Sequence, residues 1–141
     1  MARPASKQPT DGELAILQVL WNDGPSTVRD VHVELVESGR SHAGYTSTLK
    51  LMQIMFEKRL VARDESRRSH VYEPRLTREK AQKGLVCELV ERAFAGSAAQ
   101  LALNALSSKP VSRNEIAAIR KLLDEREASE RRKPNRGRGK R

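Results

Sequence analysis

Aromatic residues and cysteine are both scarce in this sequence of 141 residues. Aromatics make up only 4% of it while 32% of the residues are charged, so one chain can bury only a modest, helix-rich core. Burial shared between two chains would relieve that shortage. Cys87 is the single cysteine, which excludes a disulfide within the chain and indicates a reducing compartment.

Long apolar runs are missing as well. No run approaches the length that spans a membrane, and residues 1–10 lack the apolar stretch that is typical of a signal peptide. We therefore expect a cytoplasmic protein that does not associate with membranes.

Residue clusters that carry catalysis or hold metal ions are not found either. The sequence has no nucleophile–base–orienter set and no glycine-rich phosphate loop. Cys87 and the histidines at positions 32, 42 and 70 do not have the spacing of metal ligands. We expect no enzymatic activity, no metal site and no cofactor.

The chain instead carries an excess of positive charge, which indicates a polyanionic partner. Its formal net charge is +9 and its sequence pI is near 10.2. The charge is uneven, because residues 129–141 hold seven Lys and Arg against one Glu, a net of +6, which leaves +3 for residues 1–128. We predict that residues 129–141 form a disordered basic tail.

Capping signals and apolar spacing predict a mainly α fold with one small β-hairpin. Capping boxes start helices at Thr10 and Ser112, and Ser26 or Thr27 caps another. Two strands over 60–65 and 69–73 surround a turn. The predicted regions are an N-terminal winged helix-turn-helix domain, a helical region with three helices and the basic tail, at 9–75, 76–128 and 129–141.

The segment 46–58 forms a helix with two unlike sides when it is placed on a helical wheel. The side predicted to be buried carries Thr48, Leu51, Met52, Met55 and Phe56. The other side carries the small or polar residues Thr46, Ser47, Lys50, Gln53 and Glu57. A recognition helix enters the major groove with such a side, where Lys can donate to guanine and Gln can read adenine. Arg67 and Arg68 at the hairpin tip would meet phosphates or the minor groove.

Four segments, TDGELAILQVLW, PSTVRDV, YTSTLKLMQIMFEKRLV and VYEP, together resemble the penicillinase-repressor family over roughly residues 9–126. The resemblance implies a homodimeric winged-helix repressor that binds double-stranded DNA at a dyad operator and controls β-lactam or other stress-response genes. Thr46, Ser47 and Lys50 match the start of the family's recognition helix. Arg67 and Arg68 fall in its wing.

Four positions depart from the family pattern, among them Ile54, which stands where a polar or basic side chain is common. Arg59 stands where glycine commonly follows the recognition helix, and Arg67 stands where glycine is common near the wing tip. Arg59 is therefore expected to end the helix without the left-handed conformation that glycine adopts at little cost. Thr48 replaces an aliphatic residue on the buried side, and its hydroxyl can bond back to the carbonyl of Gly44.

The helices after Pro74 are apolar on most of their sides, so they must be covered on most sides. We predict that a second chain covers them in a homodimer, whereas the alternative is that they pack back onto the winged helix. The predicted dimer interface comprises Leu85, Leu89, Val90, Phe94, Leu101, Leu103, Leu106, Ile119 and Leu123.

The resemblance also bears on how repression ends. In the family, a membrane sensor of β-lactams leads to cleavage of the repressor at an Asn–Phe bond in its dimerisation helices. The matching bond here is Asn104–Ala105, which makes a sensor-linked protease a candidate partner, but the aromatic anchor is absent. We therefore expect release that does not require this cut. The alternative function, from another class, is an architectural or non-specific nucleic-acid-binding protein that uses its basic tail.

Overall fold

A computed structural model describes residues 8–133, which form six helices and one three-stranded antiparallel sheet. This confirms the predicted fold, mainly α with a winged helix-turn-helix. In chain order the elements are α1 (Asp11–Asp23), β1 (Ser26–Thr27), α2 (Val28–Glu37), α3 (Tyr45–Glu57), β2 (Val61–Asp64), β3 (Val71–Pro74), α4 (Arg78–Ala93), α5 (Ala98–Ser108) and α6 (Arg113–Arg132).

Capping boxes begin three of these helices, as the sequence predicted for α1 and α6. The Glu13 N–H donates to Thr10 Oγ1 (3.2 Å), and the Glu13 carboxylate accepts from the Thr10 N–H (2.9 Å). Ser112 and Glu115 repeat the pattern in α6, and hydrogen bonds from Ser112 hold the pKa of the Glu115 carboxyl below its ordinary value. Of the two candidates for α2, Thr27 is the cap.

The core lies among α1, α2 and α3, with the sheet beside it. Its fully or nearly buried apolar residues are Ile16, Leu17, Val19, Leu20, Val28, Val31, Leu35, Met52, Met55, Val61 and Tyr72. The predicted buried side of α3 is confirmed, since Thr48, Met52 and Met55 are buried while Leu51 and Phe56 are half-buried. Packing of this side against α1 and α2 fixes which side of α3 faces outward.

The hydroxyl of Thr48 has a different partner from the one that the sequence suggested. It lies 3.1 Å from Nδ1 of His32 in α2, and this hydrogen bond joins the two helices. Gly44 instead accepts from the backbone N–H of Thr48 at 3.3 Å. The buried hydroxyl is satisfied by a side chain that lies near it only in the folded chain.

The wing is the hairpin of β2 and β3, and the predicted hairpin is present with each strand slightly shorter than expected. Asp64 pairs with Val71 at the tip end, and Val61 pairs with Pro74 at the base. Sequence reasoning missed β1, which adds Ser26 and Thr27 to the free edge of β3. A strand of two residues is too short to show an alternating pattern.

An ion pair with a buried carboxylate and a partly exposed ammonium joins the beginning of α1 to the end of α3. The carboxylate of Glu13 is almost fully buried, and its Oε2 lies 2.7 Å from Nζ of Lys58. The same carboxylate caps α1 through its other oxygen. Both oxygens of this buried carboxylate therefore have partners, as burial of a charged group requires. The contact with Lys58 also ties the end of α3 to the beginning of α1.

The end of α3 contradicts the expectation for Arg59. Its φ is +67°, so this arginine adopts the left-handed conformation itself. The Arg59 N–H donates to the carbonyl of Phe56 (3.1 Å), and the Leu60 N–H donates to the carbonyl of Met55 (2.9 Å). These two bonds are a Schellman motif, in which glycine is the usual residue at this position. Arg59 therefore carries backbone strain where glycine would not.

The described residues divide between two compact units that meet at residues 92 and 93. The first unit thus includes nearly all of α4, whereas the predicted domain boundary precedes that helix. Contacts at its start explain this: Trp21 Nε1 donates to the carbonyl of Leu76 (2.9 Å), and Arg78 donates to Oδ1 of Asn22 (2.6 Å). These bonds hold the beginning of α4 to the end of α1.

The predicted disordered tail begins too early. Residues 129–132 continue α6, which ends at Arg132, while residues 134–141 lie outside the described residues. Arg131 and Arg132 occupy the last turn, where positive charge complements the carbonyl end of a helix.

Candidate nucleic-acid interface

The outward side of α3 carries the four helix residues that the sequence singled out. Thr46, Ser47, Lys50 and Gln53 are all exposed, and the core residues of α3 lie on its other side. Two small hydroxyls at the first turn allow close approach of another surface. Lys50 and Gln53 follow at one-turn spacing and supply hydrogen-bond donors, with Gln53 supplying an acceptor as well.

The wing tip presents Arg67 and Arg68, which are both exposed. The Ser66 N–H donates to Oδ1 of Asp64 (2.9 Å), which closes the turn below them. Hydrogen bonds from Ser66 lower the pKa of the Asp64 carboxyl, and the positive charges of Arg67 and His70 act in the same direction. The tip is therefore a short, shaped turn with two arginines beyond it.

Arg63 lies in β2, one residue before the tip end of the hairpin, and its guanidinium already has partners. Its guanidinium lies 4.0 Å from the centroid of the Phe56 ring, on α3. It also donates to the carboxylate of Glu65 and, at 3.4 Å, to the hydroxyl of Tyr72. These hydrogen bonds, the one to Glu65 first, raise the pKa of Arg63. Arg63 thus braces the wing against the recognition helix.

A groove of about 400 Å³ runs between the wing, α3 and the beginning of α2. We call it the basic groove. Its lining residues are Thr27, Val28, Arg29, Tyr45, Leu49, Gln53, Arg63, Arg68, Ser69, His70 and Tyr72. Of the predicted DNA-binding residues, the groove brings together Gln53 and Arg68. The other four, Thr46, Ser47, Lys50 and Arg67, are exposed but do not line it.

Sequence reasoning missed Arg29 and Tyr45 as members of this surface. The Arg29 guanidinium carbon lies 5.7 Å from the centroid of the Tyr45 ring. The His32 ring meets the Tyr45 ring edge to face, with centroids 5.9 Å apart and planes at 87°. The one available signal was the position of Arg29 in the first turn of α2, two residues after the capping Thr27.

Several residues predicted to form a dimer interface are open in the single chain. Leu89, Leu103 and Leu123 are 47%, 58% and 59% exposed. Leu106 is exposed too, and Leu85, Phe94, Leu101 and Ile119 are half-buried. Val90 is only 8% exposed, so a partner would have little of it left to cover. The interface itself stays a prediction.

The second unit also has an apolar groove of about 430 Å³ between α5 and α6. Ala105, Leu106, Val111, Ala118 and Ile119 supply its apolar walls. The Asn104–Ala105 bond lies inside α5, with both residues exposed, and Asn104 Nδ2 donates back to the carbonyl of Gln100 (3.1 Å). A protease would have to unwind this turn before cutting.

Residues 8–133, which the structure describes, contain neither a group of side chains suited to a metal ion nor a helix suited to spanning a membrane. No three side chains among His, Cys, Asp and Glu group closely enough to hold a metal ion there. None of the helices in that range has the length and apolar character needed to cross a membrane.

Comparison with known proteins agrees with this architecture. The family model described as penicillinase repressor matches residues 9–125. The transcriptional regulator BlaI of Mycobacterium tuberculosis, in strains CDC 1551 / Oshkosh and ATCC 25618 / H37Rv, is 32% identical over 128 residues, covering 90% of this chain and 91% of the relative. With its winged helix and matching length, the chain belongs to the penicillinase repressor family and is a DNA-binding transcriptional repressor.

Proposed function

We propose that the chain acts as a homodimer on a two-fold symmetric DNA operator, with α3 of each protomer in the major groove. The observation that carries this proposal is the outward side of α3. Thr46 and Ser47 leave room for the groove floor and can bond phosphates or base edges, while Lys50 and Gln53 can read guanine and adenine. Such a side on the second helix of a helix-turn-helix is suited to base readout.

The wing supplies affinity that depends little on sequence. Arg67 and Arg68 lie at its tip, where they can reach phosphates or the minor groove beside the helix. Arg63, which belongs to the wing, keeps the wing close to α3 through its contact with the Phe56 ring. In this arrangement α3 selects the DNA sequence, and the wing holds the protein on the DNA backbone.

Dimerisation would cover the exposed leucines of α4, α5 and α6 and set the spacing of the two recognition helices. Leu89, Leu103 and Leu123 each leave about half of their surface open in the single chain, from 47% to 59%. Two-fold dimers are the commonest oligomers, and a dyad operator needs one. The two half-sites would then lie roughly 34–36 Å apart, or a multiple of that distance.

Footprinting on genomic DNA of the source organism tests the proposal. We expect discrete protected regions, each with two related half-sites separated by whole helical turns. Uniform protection without preferred sites would instead favour the second candidate, a non-specific coating protein that uses its basic tail. A chain that ends at Lys133, where α6 is complete, measures the tail: it should bind random DNA less tightly and keep its site preference.

The regulated genes, we infer, belong to a β-lactam or other stress response, in keeping with the family description. Release from DNA need not involve a sensor-linked protease. The Asn104–Ala105 bond lacks the aromatic anchor and sits within a helical turn. Mass spectrometry of the protein from cells challenged with a β-lactam checks this: we expect the intact chain, and a fragment ending at Asn104 would refute it.

A further inference from the structure

We propose that the DNA backbone passes through the basic groove, where Arg29 contacts phosphates from the α2 side and Arg68 contacts them from the wing. This inference rests on the proposed function, because it presumes that α3 enters the major groove. It adds a contact from α2, a helix to which the proposed function assigns no contact with DNA. The backbone would thus be held on both sides of the groove rather than only at the wing tip.

The composition of the basic groove fits a phosphodiester chain. Its described lining residues include three arginines and one histidine but no carboxylate. Hydroxyl groups of Thr27, Ser69 and Tyr45 add neutral polar atoms along the same walls. Asp30, the acid of the α2 capping box, does not line the groove, and its carboxylate accepts from the Thr27 N–H at 3.2 Å. A polyanion therefore meets positive charge and donors along this groove.

Arg29 is held ready for such a contact. It lies over the Tyr45 ring, and that ring is supported from another direction by His32, which is in turn bonded to the buried Thr48. The exposed guanidinium therefore rests on a series of side-chain contacts that reaches the core. An arginine arranged in this way loses less side-chain freedom when it binds than one that extends into water.

Arg63 lines the same groove but is assigned a different role. Its guanidinium already stacks on Phe56 and donates to Glu65 and Tyr72. The carboxylate of Glu65 offsets its charge, so it is a positioning residue for the wing and not a phosphate ligand. Of the three arginines, only Arg29 and Arg68 should release counterions from DNA.

The salt dependence of binding to a random-sequence DNA duplex tests the assignment without knowledge of the operator. Each phosphate contact contributes close to one unit to the slope of log K against log salt concentration. Arg29→Ala and Arg68→Ala should each lower the slope by about one unit, and Arg29→Lys should keep it. Arg75→Ala is the matched control, since this exposed arginine follows β3 at the end of the hairpin away from the tip.

Substitutions at Tyr45 provide a second test, because they change the support of Arg29 without removing a charge. Tyr45→Leu should weaken duplex binding at fixed salt but leave the slope unchanged, because Arg29 keeps its charge and loses only its support. Tyr45→Phe keeps the aromatic ring and loses only the hydroxyl, so it should weaken duplex binding much less than Tyr45→Leu does. Equal weakening by both substitutions would contradict the supporting role of the ring.

Other outcomes separate this inference from the proposed function. If Arg29→Ala leaves the slope unchanged while Arg68→Ala lowers it, the backbone does not cross the α2 side and the inference fails, although helix and wing still bind DNA. If Arg29→Ala alters only the binding of inorganic phosphate, the groove serves a free anion and the inference also fails. Failure of the proposed function would appear elsewhere, as footprints without preferred sites.

Discussion

Lys50 stands on the outward side of α3, one turn beyond Thr46 and Ser47, and its side chain is exposed. We expect Lys50→Ala to leave the fold unchanged and to lower discrimination between operator and random DNA by about 1–3 kcal/mol, the usual worth of one base contact. Competition binding with both duplexes measures this. Lys80→Ala, at an exposed position in the first turn of α4, is the control. Equal weakening on both duplexes would mean that Lys50 touches only phosphate.

Arg59 is the residue at which the backbone carries strain, since an L side chain at φ +67° lacks the freedom of glycine. Arg59→Gly should raise the free energy of unfolding by about 1 kcal/mol, because the Schellman bonds at the end of α3 can form without that cost. Urea denaturation measures the change. Arg59→Ala removes the same charge and keeps the strained conformation. A similar gain from both variants would place the effect in charge and not in the backbone.

At the scale of the element, the wing tip should respond to acid through Asp64. Its carboxylate accepts hydrogen bonds from Ser66, which hold its pKa below the ordinary value of 3.8. A carboxyl with a lowered folded pKa stabilises the folded turn above its unfolded pKa, and that contribution is lost as the pH falls through the folded pKa. The turn should thus be complete above the unfolded pKa, near pH 4, and should open only as the pH falls further, through the lower folded pKa.

An NMR titration of the Ser66 amide tests this expectation for the wing. The midpoint should lie below the ordinary pKa of 3.8, and Ser66→Ala should move it upward, because one of the two kinds of hydrogen bond is removed. Asp64→Asn should abolish the titration step. A midpoint at or above the ordinary value in the unaltered protein would show that the turn does not hold the carboxylate.

At the scale of the whole molecule, the question is whether exposed leucines of the helical region join two chains. Leu103 is 58% exposed in the single chain, so Leu103→Asp should not disturb that chain but would place a carboxylate in an apolar interface. The same holds for Leu89. We expect monomers in sedimentation and loss of operator binding. Gln82→Asp, at an exposed polar position of α4, is the control.

The two leucine variants also have a contrary outcome. If Leu103→Asp or Leu89→Asp sediments as a tight dimer, the interface does not include these residues. Circular dichroism distinguishes a folded monomer from an unfolded chain, and a folded monomer that no longer binds its operator is the result we expect. Binding to random DNA should persist, because each chain keeps its own helix and wing.

Local sequence determined much of this protein. The caps at Thr10 and Ser112 depend on a residue three positions ahead, and the buried side of α3 follows from spacing at 3.6 residues per turn. The residues that produce each signal lie within a few positions of one another in the sequence, so both features could be predicted from the sequence alone. The exposed positions of Lys50 and Gln53 followed from the same spacing.

Only the tertiary structure decided which distant residues meet. It gave Thr48 a partner in α2, joined β1 to β3, engaged Arg63 with α3 and brought Arg29 to the wing. It also put Arg59 in a conformation that its residue type disfavours, because the bonds at the end of α3 and the start of β2 require it. Such contacts depend on packing between elements far apart in the chain, and no local spacing encodes them.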